Sequence, residues 1–176
     1  DNIEQHNTIT DTFEKWDELD IDPNILRGIY SYGYEVPSNI QKKTIIPISQ
    51  GKDIIAQAQS GTGKTASFSI GMLSRIDVKD NTCQALIMCP THELARQIAN
   101  VIEGLSSMMG GVVVKTMLGG SSINEDVLDM RKKPPHIIVG CPGRVYDMMC
   151  RNYIKPSTFK IVILDEADEM LSSGFK

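Results

Sequence analysis

From residue 52 onwards, short apolar runs alternate with longer amphipathic segments. The apolar runs have the length of buried strands, whereas the segments between them carry apolar residues at helical spacing. This alternation predicts an α/β fold in which a parallel β-sheet is covered by helices on both faces, a three-layer α/β/α arrangement. The predicted strands are Asp53–Gln57, Gln84–Cys89, Val112–Met117, Ile137–Gly140 and Lys160–Leu164, and the helices between them begin near Gly63, His92, Ile123 and Pro142.

The chain before this region divides into two parts. Residues 1–12 are polar, and we expect them to form a flexible tail. Residues 13–51 predict a helical region, because Asp22 followed by Pro23 is typical of a helix start and Gly33 of a helix end. Ser38 begins a second predicted helix that ends near Gly51. Residues 52–176 then form the predicted α/β domain.

Composition limits the kinds of function that the chain can have. The net charge is −4, so any nucleic-acid site must be local rather than spread over the whole surface. No apolar run approaches the roughly 18 residues of a membrane span, and we expect neither a membrane partner nor a signal peptide. Four cysteines lack metal-ligand spacing, which favours buried, reduced thiols and a cytoplasmic location. They are Cys83, Cys89, Cys141 and Cys150.

One glycine-rich segment follows an apolar run and opens a predicted helix, the setting of a phosphate-binding loop. Glycines let successive N–H groups turn towards an anion, and the helix directs its positive end to the same point. Lys64 would add charge at the outer phosphates, and the Thr65 hydroxyl would bind Mg²⁺. The alternative is a surface turn, which the strand before it and the helix after it disfavour. The segment reads Ala58-Gln59-Ser60-Gly61-Thr62-Gly63-Lys64-Thr65, with Ala58 where the general pattern has Gly.

A run of acidic residues, Asp165-Glu166-Ala167-Asp168, follows the last predicted strand. Nucleotide hydrolases hold Mg²⁺ with carboxylates at the end of such a strand. Asp165 would bind the metal, partly through water, and Glu166 would polarise a water against the γ-phosphate. Taken alone, the acids fit a stabilised helix N-terminus better. The phosphate loop upstream favours the catalytic interpretation.

From about Trp16 to its last residue, the chain resembles the first RecA-like domain of the DEAD-box RNA helicases. Several motifs in the family's order make this resemblance more specific than any single match. The matching stretches are Leu26-Arg27-Gly28-Ile29-Tyr30, Tyr32-Gly33-Tyr34-Glu35, Pro37-Ser38-Asn39-Ile40-Gln41, Ile55 to Thr65, and Asp165-Glu166-Ala167-Asp168-Glu169-Met170-Leu171.

The resemblance implies that residues 13–51 contain the adenine-reading Q motif. Gln41 would make paired hydrogen bonds to the base, which suit adenine and mismatch guanine. Tyr34 would stack on the base, and Asp168 would belong to the ATP site. Trp16 would be the family's isolated upstream aromatic, although Phe13 lies close by in the chain. Plain core packing is an equal alternative for Trp16.

The resemblance also implies an RNA site on loops at one sheet edge, which would bind the sugar-phosphate backbone of single-stranded or locally duplex RNA without reading bases. His92 replaces the family's Arg, and Cys141 replaces its Thr, so we expect a weaker grip. Arg144 is expected to keep a phosphate partner. Outside the family match, these residues fit ordinary turns and a surface charge. The implied residues are Pro90, Thr91 and His92; Gly119 and Gly120; and Cys141, Pro142, Gly143 and Arg144.

The resemblance predicts an ATP-binding domain whose parent protein hydrolyses ATP with Mg²⁺ and unwinds RNA locally. Residues 57–59 and 135–140 favour the translation-initiation members of the family, with their scaffold proteins, over splicing-linked relatives. The alternative is a non-catalytic module that binds nucleotide or a protein partner. Gln41 and the acidic run disfavour a DNA helicase or a transport ATPase. Without the second RecA-like domain, this chain is expected to be inactive or very weak.

The family's Ser-Ala-Thr strand would follow Lys176, and in this fold it lies between the phosphate-loop strand and the Asp165 strand. Its absence predicts a gap with unpaired backbone groups. We therefore expect one of three situations: a longer natural chain, a gap filled by another chain, or a poorly stable fragment.

Overall fold

The computed structural model describes residues 3–4 and 12–172. The chain divides into two compact units, residues 1–75 with 101–110 and residues 76–100 with 111–176. The strands are β1 (Ile3–Glu4), β2 (Ile55–Ala56), β3 (Ala85–Met88), β4 (Val114–Met117), β5 (Ile137–Gly140) and β6 (Ile161–Leu164). The helices are α1 (Pro23–Ser31), α2 (Asn39–Ser49), α3 (Lys64–Leu73), α4 (His92–Leu105), α5 (Ile123–Lys132), α6 (Pro142–Cys150) and α7 (Ala167–Ser172), with 3-10 turns at Trp16–Glu18 and Pro156–Thr158.

The second unit contains a four-stranded parallel sheet in the order β4-β5-β3-β6. This confirms the predicted α/β class with a parallel sheet. Met88 at the end of β3 is paired with Gly140 of β5 and with Leu164 of β6, so the three strands end level. The loops that follow them therefore leave the sheet at one edge, where parallel sheets of this class place their ligands.

The centre of this sheet is an aliphatic core. Leu86 of β3 and Ile138 of β5 are almost completely buried, as apolar strands covered on both faces should be. Met117 at the end of β4 joins them, and α6 adds Val145 and Met148. β6 differs, since Val162 and Leu164 are 51% and 54% exposed. In the described part of the chain, β6 forms an edge of the sheet.

In the first unit, the helix starts follow the sequence prediction. The Asp22 carboxylate accepts a hydrogen bond from the Asn24 N–H at 2.8 Å and caps α1. Ser38 and Gln41 form a reciprocal capping box at the start of α2. Helices α2 and α3 pack together at Gly71, where an added Cβ would collide with the Ile48 side chain. The caps thus place the residue before α3, Gly63, beside the start of α2.

The phosphate-loop strand departs from the prediction. The predicted strand Asp53–Gln57 is reduced to β2, Ile55–Ala56, which pairs antiparallel with β1 instead of joining the parallel sheet. Within the expected flexible tail of residues 1–12, Ile3–Glu4 form this short strand, and residues 1–2 and 5–11 lie outside the described residues, so the tail as a whole stays a prediction. The pairing satisfies backbone N–H and C=O groups that β2 would otherwise leave open. Strands β2 and β6 lie in different sheets.

None of the four cysteines is joined in a disulfide within the described residues. Their patterning also predicted burial, which holds for Cys89 and Cys141 but not for the exposed Cys150. Within residues 3–4 and 12–172, no helix combines the length and the apolar character that a membrane span requires.

Candidate functional site

The loop between β2 and α3 has the backbone shape of an anion cradle. Gly61 and Gly63 have φ values of +82° and +84°, which an L side chain adopts only with strain. The Gln59 carbonyl accepts hydrogen bonds from the N–H and hydroxyl of Thr62, at 3.4 and 2.7 Å. Helix α3 then begins at Lys64, so its first N–H groups and positive end face the loop. Residues 58–65 thus adopt the predicted loop-to-helix arrangement.

Gln41 joins this loop to helix α2. Its side chain is 2% exposed. The Oε1 atom accepts a hydrogen bond from the Ser38 N–H at 2.8 Å, and Nε2 donates to the Gly63 carbonyl at 3.3 Å. The amide retains one N–H and one acceptor lone pair, the minimum that an adenine edge requires. The structure therefore gives Gln41 a role in holding the loop, and its contact with adenine stays a prediction.

The predicted aromatic residues lie in contrasting environments. Tyr34 is half-buried and stacks on Tyr32, with ring centroids 5.3 Å apart and an interplanar angle of 15°. Burial, and then the neighbouring Tyr32, raise the pKa of the Tyr34 phenol, so it stays neutral. Trp16 is 1% exposed and packs on Phe13 with centroids 5.7 Å apart. Trp16 offers no open ring face for a base, and the geometry favours core packing, the second of its two predicted roles.

The acidic run in the second unit begins with two carboxylates in unlike surroundings. Asp165 is 5% exposed, and its N–H donates to the Met88 carbonyl at 2.9 Å. Its Oδ1 accepts a hydrogen bond from the Glu166 N–H at 3.1 Å. Glu166 is exposed and has a φ of +55°, a conformation that costs a non-glycine residue about 1–3 kcal/mol. Such strain concentrates at functional sites, and it supports a specific task for Glu166. Asp168 is exposed in the first turn of α7.

A cleft of about 420 Å³ lies at the carboxyl edge of the sheet in the second unit. His92 is the first residue of α4 and is exposed at this cleft. Gly119 and Gly120 have φ values of +80° and +79°, and their bare backbone forms part of the wall. The cleft brings two of the three predicted RNA motifs together. Its lining comprises His92, Arg96, Lys115, Thr116, Leu118, Gly119, Gly120, Ser121 and Asp126.

Arg144, from the third motif, is bound inside the protein instead of being presented to a phosphate. Its Nη1 donates to Asp126 Oδ2 and its Nη2 to the Ser121 carbonyl, both at 2.6 Å. The side chains of Arg144 and Asp126 are only 9% and 14% exposed. The predicted direct phosphate contact is therefore not the arrangement observed. The reason is that Asp126, a long-range partner, neutralises the guanidinium, which fastens the loop at Ser121.

The remaining predicted RNA residues lie at the starts of helices α4 and α6. The Thr91 hydroxyl accepts a hydrogen bond from the Leu94 N–H at 3.2 Å and caps α4. Cys141 is the N-cap of α6 and makes no such bond, as expected where a thiol replaces a hydroxyl. Pro142 occupies the first turn of α6, ahead of Gly143. Pro90 precedes the Thr91 cap.

Sequence reasoning missed Arg96, Lys115 and Asp126 as cleft residues. Arg96 lies one helical turn after His92, so the period of α4 could have suggested it. Lys115 lies within β4 and Asp126 in the first turn of α5, and neither has a motif that marks it.

The described residues offer single carboxylates, not a cluster of protein ligands, for Mg²⁺. Within the described residues, no group of three or more His, Cys, Asp or Glu side chains is placed to hold a metal ion. Mg²⁺ binds through one or two carboxylates, waters and nucleotide phosphates, so an oxygen donor such as Asp165 suits it without such a group. Thr65, the other predicted ligand, belongs to the first unit and Asp165 to the second.

Comparison with known proteins agrees with this geometry. The family model described as DEAD/DEAH box helicase matches residues 38–176. The chain is 53% identical over 162 residues to proteins named ATP-dependent RNA helicase eIF4A from Lodderomyces elongisporus and Candida albicans. Each alignment covers 92% of this chain and 40% of the relative, so the chain spans less than half the length of these relatives.

Solved structures give the same result. A DEAD box protein from the hyperthermophile Methanococcus jannaschii has a TM-score of 0.87 and 37% identity, over 93% of this chain and 44% of that one. A variant of S. cerevisiae Dbp5 bound to RNA and ADP BeF3 has a TM-score of 0.78 and 35% identity, over 92% of this chain and 40% of that one. The fold, the phosphate loop and these matches together show that the chain belongs to the DEAD/DEAH box helicase family.

Proposed function

We propose that this chain is the ATP-binding part of an RNA helicase that couples ATP hydrolysis to local unwinding of RNA. The observation that carries the proposal is the Gln41 amide, which is buried and hydrogen-bonded to the carbonyl of Gly63 in the phosphate loop. A side chain that can recognise a base is thereby fixed to the backbone that would hold the phosphates. A surface turn has no need of this connection.

The first unit supplies groups for the nucleotide. Backbone N–H groups of residues 58–63 and the start of α3 would hold the phosphates, with Lys64 adding charge and Thr65 a hydroxyl for Mg²⁺. Gln41 and Tyr34 would bind the base. Trp16 contributes to the fold in the geometry observed, since it is buried.

The second unit supplies the carboxylates of the hydrolysis step. Asp165, buried at the end of β6, would hold Mg²⁺ through water. Glu166 would accept a proton from the water that attacks the γ-phosphate, which yields ADP and phosphate. Bound Mg²⁺ would neutralise charge that develops on the phosphate oxygens. Asp168 would assist at the ATP site, as the family resemblance implies.

The cleft of the second unit fits an RNA backbone. Arg96 adds a positive charge to its lining, whereas Lys115 is paired with Asp129 and Asp126 with Arg144. Gly119 and Gly120 lack side chains that would keep a sugar-phosphate strand away. Contacts of this kind do not read bases, so we expect binding of single-stranded RNA without sequence preference. One similar structure is of a Dbp5 variant bound to RNA.

The wider role follows from the relatives. Their name, eIF4A, supports a place in translation initiation. Scaffold proteins as partners and a cytoplasmic location are further parts of the proposal, which these names do not address. Because the chain spans 40% of their length, a second RecA-like domain would complete the enzyme. We expect this chain alone to bind nucleotide and to hydrolyse it weakly or not at all.

The deciding experiment is a calorimetric titration of the chain with Mg·ADP and with Mg·GDP. We expect ADP to bind more tightly than GDP, by roughly tenfold or more, because a positioned amide rejects the wrong base edge. Gln41→Ala should remove this preference, and Lys64→Ala should weaken both nucleotides. Lys43→Ala changes an exposed lysine on α2 and serves as the control.

Circular dichroism separates the possible failures. A folded chain that binds neither nucleotide would contradict the proposal and favour a non-catalytic scaffold. An unfolded chain would instead call for repeating the titration on a chain with the full length of the relatives.

A further inference from the structure

Two tyrosines face each other at the turn that ends α1. Tyr32 is the C-cap of this helix, and Gly33 after it has a φ of +95°, a value that favours glycine. The Gly33 N–H donates to the Tyr30 carbonyl at 3.0 Å. The Tyr34 N–H donates to the Ile29 carbonyl at 3.3 Å. These two bonds form a Schellman motif, which fixes the backbone that carries the stacked rings of Tyr32 and Tyr34.

The Tyr32 ring also contacts a helix that is distant in sequence. Gly104 lies in the last turn of α4, and a Cβ there would collide with the Cδ2 and Cε2 atoms of Tyr32. A second glycine lets the two helices approach closely, because a Cβ at Gly28 of α1 would collide with the Leu105 carbonyl oxygen. The end of α4 therefore holds Tyr32 from one side, while the Tyr34 ring covers one of its faces.

Tyr34 lies on the connection between α1 and α2, outside any helix or strand. Its neighbours Gly33, Glu35 and Val36 are exposed, whereas Tyr34 is partly buried. Side chains on such segments can adopt several rotamers, and a ligand that selects one of them must offset the lost entropy. The stack with Tyr32 restricts the Tyr34 ring before any ligand binds, and such preorganisation raises affinity.

We propose that Tyr32 and Gly104 are positioning residues for nucleotide binding, which hold the Tyr34 ring in the orientation that stacks on the base. This inference rests on the proposed function, in which Tyr34 binds the base. Because Tyr32 covers one face of Tyr34, a base stacks on the opposite face. Tyr32 and Gly104 do not touch the nucleotide in this arrangement, and they act through Tyr34 alone.

Gly104→Ala is the sharpest way to disturb this arrangement. The new methyl group occupies the space of the Tyr32 ring edge, so the ring must move aside and its stack with Tyr34 is lost. Alanine favours a helix more than glycine does, so α4 itself is not weakened. The substitution leaves both tyrosines in the chain.

The test measures binding of Mg·ADP and of Mg·pyrophosphate to the full chain by calorimetry. Pyrophosphate has phosphates but no base, so it reports the phosphate loop without Tyr34. We expect Tyr32→Ala and Gly104→Ala each to weaken ADP binding roughly twofold to tenfold, the contribution of an aromatic pair, and to leave pyrophosphate binding unchanged. Tyr32→Phe keeps the ring and should restore ADP binding. Glu103→Ala changes an exposed neighbour on α4 and is the control for Gly104→Ala.

A double variant tests the route from Gly104 to the base. Once Tyr32→Ala has removed the ring, the methyl group of Gly104→Ala has no ring to displace. The double variant should therefore bind ADP as weakly as Tyr32→Ala alone. Losses that add up would show that the two residues act independently, and this would overturn the proposal.

NMR of the ligand-free chain follows the Tyr34 ring directly. The ring current of Tyr32 shifts the ring-proton resonances of Tyr34, so Tyr32→Ala and Gly104→Ala should both move them, and Glu103→Ala should not. Unmoved Tyr34 resonances in Gly104→Ala would contradict the proposed contact.

The titrations also separate this inference from the proposed function. A chain that binds ADP more tightly than pyrophosphate, with no change in Tyr32→Ala or Gly104→Ala, would overturn the inference and leave the proposed function standing. Equal weakening of both ligands would overturn it as well, because a general loss of structure has that effect. A chain that binds neither ligand before any substitution would contradict both proposals.

Discussion

The phosphate loop and the cleft loop are both rich in glycine, yet different forces hold them. The phosphate loop is fixed by a neutral amide, since Gln41 donates to the Gly63 carbonyl from a buried position. The cleft loop is fixed by charge, since Arg144 bridges Asp126 and the Ser121 carbonyl. One loop depends on shape, and the other depends on a buried ion pair.

This difference predicts how each loop fails. A neutral hydrogen bond between packed groups is little affected by salt or pH, but it tolerates no added atom. A buried ion pair tolerates small changes of shape, but the loss of one partner leaves a charge without compensation. Substitutions can therefore separate the two kinds of support.

The largest effect is expected from Arg144→Ala. It leaves the Asp126 carboxylate, 14% exposed, without its partner, and the free energy of unfolding should fall by about 3–5 kcal/mol. Urea unfolding followed by circular dichroism measures it. The control is Arg151→Ala, at the end of the same helix. Arg151 pairs with Asp147, but both side chains are exposed, so the substitution should not measurably change the free energy of unfolding.

A second variant tests the cause of that loss. Adding Asp126→Asn to Arg144→Ala removes the stranded charge, so part of the stability should return. A double variant that is less stable than Arg144→Ala would show that the unpaired charge is not the main cause of the loss. The contact with Ser121 and the packing of the Arg144 methylene groups would then contribute more to the free energy of unfolding.

The next effect concerns the shape of the phosphate loop. Gly61 and Gly63 have nearly the same φ, but a Cβ at Gly61 meets no atom within 4 Å, whereas one at Gly63 collides with Gln41 Nε2. Gly61→Ala should cost about 1 kcal/mol through backbone strain alone. Gly63→Ala should cost about 2–3 kcal/mol, because a collision is added to the same strain. Equal losses in urea unfolding would show that Gln41 does not constrain the loop.

The elements near strong local signals were predictable from the sequence. Strand β5 is Ile137–Gly140 as predicted, and helices α4, α5 and α6 begin at the predicted residues. Each start combines a turn or capping residue with apolar spacing, and these features act over a few residues. The Ser38 cap of α2 belongs to the same class.

The remainder depended on contacts between residues distant in sequence. Nothing near Arg144 in the chain identifies Asp126 as its partner. The sequence therefore suggested that the Arg144 guanidinium binds a phosphate, whereas in the structure it pairs with Asp126. Ile3–Glu4 are too few residues for a periodic signal, and their pairing with β2 was missed. Trp16 showed the same limit, since an isolated aromatic fits both a core and a base-stacking site.

The smallest effect on stability is expected from an exposed ion pair beside the cleft. It tests whether exposed charges stabilise the fold there, as the buried pair of Arg144 and Asp126 does. Lys115, in the cleft lining, pairs with Asp129, and this hydrogen bond and charge lower the pKa of the Asp129 carboxyl. A carboxyl whose pKa is lowered by folding adds stability above its unfolded value, about pH 4, and loses it as pH falls through the folded value. Lys115→Met should therefore reduce stability slightly at pH 7 and not at all in strong acid, with Lys155→Met, an exposed lysine of the same unit, as the control. Carboxyl NMR should show the Asp129 pKa rise in Lys115→Met, and high salt should shrink the difference. An Asp129 pKa that does not move would confine the stabilising charges of the cleft to Arg144 and Asp126.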